Sequence, residues 1–389
     1  MKTALAWKNL TSSKSKFALA AMGVGFAVLL MFMQLGFRNA LIENNVQLFS
    51  LFDLKQANLA LVSRARYNVS TEQRFPRALL LKAAAHPLIT DFCTVSLERG
   101  TASVKIEGNT SKPIRVIGIS LGKEEFIADP TIYRELEAAD AAQAALVDVR
   151  SKPYYRFSYG APQVVELNGL SLKLSDRKFE LGTDFGNDGT LLMSERMHAK
   201  YFSWRSRTGD PRDVVDIAFL HANVPASQLQ ALAEEIEGYA PSEIVVKPTK
   251  ELRKEEVDFW STATPVGIIF NIGTVMGLVV GAIICYQIQY TDITDHMPEF
   301  ATLKAMGYSP AYFWSVILCQ SFYLANIGFV PGALVSFGLY RLLSTYSGLI
   351  MNMGPDTVLS VWGLTLAMCV VSGVLAIRKL FGADPASLF

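Results

Sequence analysis

The sequence has few charged residues and almost no net charge. Asp, Glu, Lys and Arg make up 18% of the 389 residues and hydrophobic residues 51%, so the chain is more apolar than an average soluble domain. Its 36 Lys and Arg are balanced by 35 Asp and Glu, which leaves no extended positive field to attract nucleic acid. This composition predicts a membrane protein and gives no indication of nucleic-acid binding.

Motifs that identify enzymes are also absent from the sequence. His86, His198 and His221 are far apart, and none belongs to a closely spaced metal-binding motif. Neither the Gly-x-Ser-x-Gly motif of serine hydrolases nor the Walker A nucleotide motif occurs. Asp184-Phe-Gly-Asn-Asp188 lacks the spacing and closing Glu of an EF-hand loop, which favours a turn over a cation site. We therefore expect no catalytic residue, no metal and no cofactor, and any ATP to be bound by a partner.

Charged residues are missing from four long stretches, namely 17–37, 261–291, 308–340 and 357–377. Each reaches the ~20 residues that a helix needs to cross a bilayer, so we predict four transmembrane helices. The first is too long for the apolar part of a secretory signal, and Phe37-Arg38 follows it in place of a small-residue cleavage site. We expect this helix to be retained. The stretches contain no ionisable side chain for an ion or proton pathway, which argues against an ion-driven transporter.

Basic residues flank the first and last stretches and set the predicted orientation. Lys2, Lys8, Lys14 and Lys16 precede the first, and Arg378-Lys379 follows the last, so both termini are predicted to be cytoplasmic in a multi-pass protein of the bacterial inner membrane. The resulting order is a cytoplasmic amphipathic segment (1–16), helix 1 (17–37), a periplasmic domain (38–260), helix 2 (261–291), a cytoplasmic loop (292–307), helix 3 (308–340), a short periplasmic loop (341–356), helix 4 (357–377) and a cytoplasmic tail (378–389).

The large outer segment has a mixed α/β pattern. Asn168-Gly169 separates two alternating runs within residues 164–174, which predicts a hairpin because Asn-Gly suits a type I′ turn. A strand at 214–220, a helix at 225–236 and a strand at 243–247 predict a βαβ unit with parallel strands. The fold class is therefore four transmembrane α-helices with a large α/β periplasmic domain inserted between helices 1 and 2.

Two further features of the outer segment concern its ends and its thiol. Residues 249–260 predict a charged helix that runs straight into the second transmembrane helix, as a rigid link. Cys93 is the outer segment's single cysteine, since Cys285, Cys319 and Cys369 lie in predicted membrane helices. We expect Cys93 to be a small buried apolar residue, with an intermolecular disulfide as the alternative.

The second membrane stretch carries a repeated pattern of small residues. Gly273, Gly277 and Gly281 recur at four-residue spacing on one helix face, and such faces allow helix backbones to approach closely in lipid. The face fits either a contact within one chain or the interface of a homodimer.

The short loop after this stretch predicts a helix with its own start and stop signals. Pro298 suits the first turn, Glu299 favours its N-terminal end, and Gly307 suits a left-handed end. Phe300, Leu303 and Met306 then form an apolar face. A short loop offers little protein of its own to cover that face. We expect it to lie in a partner's groove rather than on the membrane surface.

Three segments resemble a known family. Pro298-Glu-Phe-Ala-Thr-Leu-Lys-Ala-Met-Gly-Tyr308 resembles the coupling segment of FtsX/MacB-type ABC permeases. Phe26-Ala-Val-Leu-Leu-Met-Phe-Met-Gln-Leu-Gly-Phe-Arg-Asn-Ala-Leu41 and Phe179-Glu-Leu-Gly-Thr-Asp-Phe-Gly-Asn-Asp-Gly-Thr190 resemble the DevC branch of that superfamily. The order of segments along essentially the whole chain is similar as well.

The resemblance implies a permease subunit that is not itself an enzyme. It implies a homodimer with a separate ABC ATPase beneath it, a periplasmic membrane-fusion adaptor above it and an outer-membrane channel beyond. ATP hydrolysis would move the periplasmic domains by mechanotransmission and drive export of a lipid-like or other hydrophobic cargo. The residues implied to contact the ATPase are Pro298, Glu299, Phe300, Ala301, Leu303, Lys304, Met306, Gly307 and Tyr308. The alternative is an FtsX-like signalling protein that regulates a periplasmic partner, such as a cell-wall hydrolase, without transport.

The charge pattern predicts where reporters at two positions will be found. We expect a reporter fused after Phe389 to be cytoplasmic and one inserted near Asn187 to be periplasmic, because positive charge marks the cytoplasmic segments. Paired alkaline phosphatase and fluorescent protein fusions measure both locations. Two reporters on the same side of the membrane would contradict the four-helix topology.

Overall fold

The computed structural model describes Trp7 and residues 14–381, apart from residues 67, 70, 107–109, 183–185, 207–208, 241, 348 and 350. The chain divides into two compact units. The helical unit comprises Met1–Ala40, Pro265–Thr345 and Met351–Phe389, and the α/β unit comprises Leu41–Thr264 and Tyr346–Ile350.

The described residues form ten α-helices and thirteen strands. The helices are α1 (Lys14–Val46), α2 (Arg77–Ala84), α3 (Pro130–Ala141), α4 (Glu195–Tyr201), α5 (Leu229–Glu237), α6 (Thr249–Asp258), α7 (Pro265–Asp295), α8 (Met297–Ala305), α9 (Pro310–Ser347) and α10 (Pro355–Phe381). The strands are β1 (Leu59–Ser63), β2 (Phe75–Pro76), β3 (Ile89–Glu98), β4 (Ser103–Lys105), β5 (Lys112–Pro113), β6 (Arg115–Ile119), β7 (Ala144–Asp148), β8 (Gln163–Leu167), β9 (Leu170–Phe179), β10 (Thr190–Ser194), β11 (Val214–Val215), β12 (Ile217–Ala222) and β13 (Ile244–Pro248).

Four helices of the described chain are long and apolar enough to cross a membrane, which confirms the predicted number. The candidate spans are Lys14–Leu51, Gly267–Asp295, Pro310–Tyr346 and Pro355–Arg378. Most extend beyond the charge-free stretches, because a helix continues through the charged residues at its ends.

Helices α1 and α9 approach closely within the helical unit. A Cβ atom at Gly332 would lie 2.7 Å from the carbonyl oxygen of Gly25, so only glycine fits at this crossing. The hydroxyl of Tyr340 donates a hydrogen bond of 2.5 Å to the carbonyl oxygen of Phe32. These contacts fix α1 against α9 by backbone proximity and one buried polar contact.

The α/β unit is built on one large mixed sheet. Within the described residues its eleven strands run in the order β13-β1-β12-β3-β6-β10-β7-β9-β8-β4-β5, and β11 and β2 form a separate pair. Strands β10 and β6 are parallel, as are β7 and β9. The predicted hairpin is confirmed: β8 and β9 pair antiparallel, and Asn168 and Gly169 have φ angles of 49° and 82°.

The predicted βαβ unit is confirmed in its elements and in the parallel direction of its two strands, with one further strand between them. Strands β12 and β13 flank helix α5 in the chain, yet β1 lies between them in the sheet. Strand β1 pairs antiparallel with both neighbours, so β12 and β13 run in the same direction without bonding to each other. The helix therefore crosses over an intervening strand.

The predicted continuous helix from residue 249 into the second membrane helix is wrong. Helix α6 ends at Asp258, a π-helical segment follows at Phe259–Ala263, and Thr264 is extended with φ −93° and ψ 148°. Helix α7 then begins at Pro265. Proline disfavours a helical conformation at the preceding residue, which explains the extended Thr264.

Cys93 is fully buried in the α/β unit, as expected. The Ser120 hydroxyl donates a hydrogen bond of 3.5 Å to its sulfur. Burial raises the pKa of the Cys93 thiol to about 12, so the unreactive thiol form persists at neutral pH.

A cluster of buried charges crosses the interior of the α/β unit. The side chains of Arg205, Glu98 and Asp216 are fully buried, and the Arg205 guanidinium lies 3.3 Å from Glu98 and also pairs with Asp216. Arg74 lies 2.6 Å from Glu98, and Arg66 lies 3.6 Å from Asp216. Desolvation raises the pKa of Glu98 despite these arginines. Each charge depends on its partners, because an unpaired buried charge is costly.

Removing one member of this cluster is expected to destabilise the α/β unit. Arg205→Met removes one positive partner from each of the buried carboxylates Glu98 and Asp216. The loss commonly lowers the free energy of unfolding by about 3–5 kcal/mol. Arg212→Met is the matched control, because Arg212 and its partner Asp210 lie at the surface, where an ion pair contributes little to stability. Thermal unfolding of the full chain in detergent, followed by Trp fluorescence, is the measurement. Equal midpoints for the two variants would show that the buried cluster contributes no more than a surface pair.

Candidate functional site

Helix α8 forms the loop between α7 and α9, and its ends follow the predicted signals. Pro298 lies in the first turn, and the Phe300 amide donates a hydrogen bond of 3.1 Å to the carbonyl oxygen of His296. At the other end Gly307 has φ +88°, a conformation that favours glycine. The amide of Tyr308 then donates a hydrogen bond of 3.2 Å to the Leu303 carbonyl oxygen, which closes the helix end.

The apolar face of α8 packs into the helical unit. Phe300 is 5% exposed, and its ring meets that of Phe313 edge to face at 5.8 Å. Leu303 is partly buried against the same cluster. The other members of the cluster come from α7, α9 and α10: Ile293, Ile317, Ala376 and Ile377.

The expectation that the loop has little protein of its own to cover this face is therefore wrong for Phe300 and Leu303. The ends of three long helices lie around α8 and supply the apolar surface. Phe313 and Ile317 lie four residues apart near the start of α9, and this spacing is the sequence signal for a face toward α8. The spacing of Phe313 and Ile317 alone does not identify α8 as the helix that packs on them.

The remaining predicted residues lie on the outside of the loop. Met306 is 62% exposed and Tyr308 37% exposed, while Ala301 is half-buried. Pro298, Glu299, Lys304 and Gly307 are also exposed. We call the exposed set Pro298, Glu299, Lys304, Met306 and Tyr308 the loop surface. It combines charges of both signs with a flexible apolar side chain and an aromatic ring, a composition suited to a protein contact.

The glycine face of α7 packs within the chain. A Cβ atom at Gly273 would lie 2.6 Å from the Gln34 side chain of α1. One at Gly281 would lie 2.7 Å from both Ala27 and Met368, and one at Gly277 would lie 3.7 Å from Met31. Of the two predicted uses of this face, the structure supports contact within one chain. The use of this face in a homodimer stays a prediction.

The histidines and the acidic segment do not assemble a site. His198 is buried, and desolvation together with Arg205 holds its pKa well below the usual range. Of the acidic segment, residues 184 and 185 lie outside the described residues, and Asp188 lies 2.7 Å from the Lys152 ammonium. No group of three or more His, Cys, Asp or Glu side chains is placed to hold a metal ion in the described part of the chain.

Comparison with known protein families gives a match in the C-terminal part of the chain. Residues 271–385 match the family described as FtsX-like permease C-terminal. No curated protein sequence matches the chain.

Two solved structures are similar to part of the chain. The periplasmic region of MacB from Actinobacillus actinomycetemcomitans has 9% identity and a TM-score of 0.32, over 52% of this chain and 92% of that one. The extracellular domain of the noncanonic ABC-type transporter YknZ from Gram-positive bacteria has 8% identity and a TM-score of 0.31, over 49% of this chain and 100% of that one. Similarity of this extent does not establish a common fold.

The packing of the glycine face predicts the effect of a larger side chain. Gly281→Leu is expected to weaken the helical unit by about 1–3 kcal/mol, because the new side chain overlaps α1 and α10. Gly338→Leu is the matched control, since no atom lies within 4 Å of a Cβ built there. Thermal unfolding in detergent and native mass measure stability and self-association separately. Loss of a dimer with unchanged thermal unfolding of Gly281→Leu would favour the homodimer interface instead.

Proposed function

We propose, from the FtsX-like permease domain at residues 271–385, that this chain is the membrane permease subunit of an ABC system. In this proposal a separate ABC ATPase binds and hydrolyses ATP, and the permease passes the resulting motion through the membrane to its α/β unit. The observation that carries the proposal is α8, a short helix bound to the helix ends by one face and exposed on the other.

The loop surface is the proposed contact with the ATPase. Met306 offers an unbranched apolar side chain that adapts to a groove, and Tyr308 offers an aromatic ring with a polar tip. Glu299 and Lys304 supply charges of opposite sign on the exposed side. Interfaces of this kind bind through a few apolar anchors surrounded by polar groups.

The buried face of α8 supplies the proposed coupling. Phe300 packs against residues of α7, α9 and α10, so a displacement of α8 must also displace the helix ends around its ring. Close-packed apolar cores transmit such displacements because they have little free volume. Phe300 is therefore assigned a positioning role and the loop surface the contact role.

Three finer elements of the proposal rest on the resemblance to DevC-type permeases. We infer that two copies assemble with the ATPase, with both termini in the cytoplasm of an inner-membrane complex. We infer that the α/β unit contacts a periplasmic adaptor that leads to an outer-membrane channel. The cargo inferred for such an assembly is lipid-like or otherwise hydrophobic.

Changing the loop surface is expected to release the ATPase without unfolding the permease. Met306→Asp combined with Tyr308→Ala removes two exposed anchors, each commonly worth about 2 kcal/mol at an interface, or about thirtyfold in affinity. The measurements are co-purification of the ATPase from native membranes and ATP hydrolysis by the assembled complex. Leu170→Asp is the control, because Leu170 is an exposed apolar residue of the α/β unit.

Phe300→Ala separates the two roles of α8. Truncating this buried ring commonly costs about 3–5 kcal/mol, so thermal stability is expected to fall together with coupling.

Equal ATPase recovery and equal coupled turnover in the Met306 and Tyr308 double variant would rule out the loop surface as the contact.

A further inference from the structure

A groove of about 850 Å³ lies within the helical unit, between α1, α7 and α9. This volume falls in the range of about 300–1,000 Å³ that is typical of sites for small ligands. The groove is distinct from the loop surface, although His296, which lines it, directly precedes α8.

The groove is apolar over most of its length. Its walls are formed by side chains of α1 and α7, and Leu324 of α9 adds to the lining. Leu19, Met22 and Phe26 of this lining are apolar and each more than half exposed. Such walls suit a hydrocarbon chain.

The groove has the length of one membrane leaflet. Helices α1 and α7 meet at Gly23, where a Cβ atom would lie 2.7 Å from Ile284. Along α1 the lining runs from Lys16 to Phe26, a rise of about 15 Å at ~1.5 Å per residue. That is half of the ~30 Å hydrocarbon core of a bilayer.

The end of the groove near Lys16 is polar and carries charges of both signs. Lys16 pairs with Asp295, and both side chains are largely exposed. Deeper in, Asp292 accepts a hydrogen bond of 3.1 Å from Gln320, which is 4% exposed. The His296 ring nitrogen Nδ1 lies 3.5 Å from the Asp292 carboxylate. Two carboxylates thus accompany one lysine at the end of an apolar groove.

We infer that this groove binds one phospholipid with a zwitterionic aminoethyl phosphate headgroup, phosphatidylethanolamine. Its primary ammonium pairs with Asp292, its phosphate pairs with Lys16, and one acyl chain follows α1 toward Phe26. A headgroup with phosphate alone would add negative charge beside two carboxylates. A quaternary ammonium would offer no N–H group to Asp292.

A lipid at this position would brace α1 against α7 next to the start of α8. This inference requires no ATPase and is tested on the permease alone, so its failure is distinguishable from failure of the proposed function.

Native mass spectrometry of the full chain tests the inference. The protein is incubated in detergent with phosphatidylethanolamine, phosphatidylcholine or phosphatidylglycerol of matched acyl chains, and bound lipids are counted. We expect one phosphatidylethanolamine per chain, retained about tenfold more strongly than either other lipid, as for one charge-assisted hydrogen bond. Equal retention of the three lipids, or no retained lipid, would overturn the inference.

Two variants locate the bound lipid. Asp292→Asn removes the charge at nearly constant size and is expected to abolish the headgroup preference. Thr291→Trp places a bulky side chain at an exposed lining position and is expected to exclude the lipid, even if the first variant folds poorly. Val371→Trp is the control, since Val371 is exposed on α10 outside this groove. Retention by Thr291→Trp equal to that of the control would also overturn the assignment.

Discussion

Burial of the Phe300 ring joins a short loop helix to the bundle from which the loop emerges. The ring is 5% exposed and contacts apolar residues from three long helices. Loss of such a ring commonly costs about 3–5 kcal/mol, a large part of the ~5–15 kcal/mol that stabilises a whole domain. The same apolar cluster therefore holds the helix ends together and fixes the position of the loop.

The two units are packed by different physical means. In the helical unit, Gly281 and Gly332 allow backbones to meet where any side chain would collide. Lipid tails are as apolar as the helices, so burial of apolar side chains contributes little free energy to the association of helices in a bilayer. Close packing of the helix backbones stabilises the association instead. In the α/β unit, three clusters of buried apolar side chains pack on one large sheet, as in domains that fold in water. Within that unit the buried charges of Arg205, Glu98 and Asp216 pair with one another.

Local features of the sequence predicted local structure well, and partners distant in the chain were not predictable. The hairpin at Asn168-Gly169 was predictable because two adjacent residues determine the turn. The position of β1 between β12 and β13 was not predictable, because β1 lies more than a hundred residues earlier in the chain. The start and end of α8 followed from Pro298 and Gly307, whereas the burial of Phe300 depends on Ile377 at the far end of the chain. The glycine face was recognisable on α7, but the helix it contacts was not.

The cluster of Arg205, Glu98 and Asp216 has a consequence for how this protein can evolve. Each of these residues is harmful to lose alone, yet a joint replacement by apolar residues of similar volume is often neutral. Descendants of this sequence can therefore exchange these charged residues for apolar ones only through an intermediate sequence that keeps an unpaired buried charge. That intermediate is less stable than the fully charged cluster and less stable than the fully apolar one. Substitutions at these positions are expected to occur together along a lineage or not at all, which makes the cluster a long-lived marker of common ancestry.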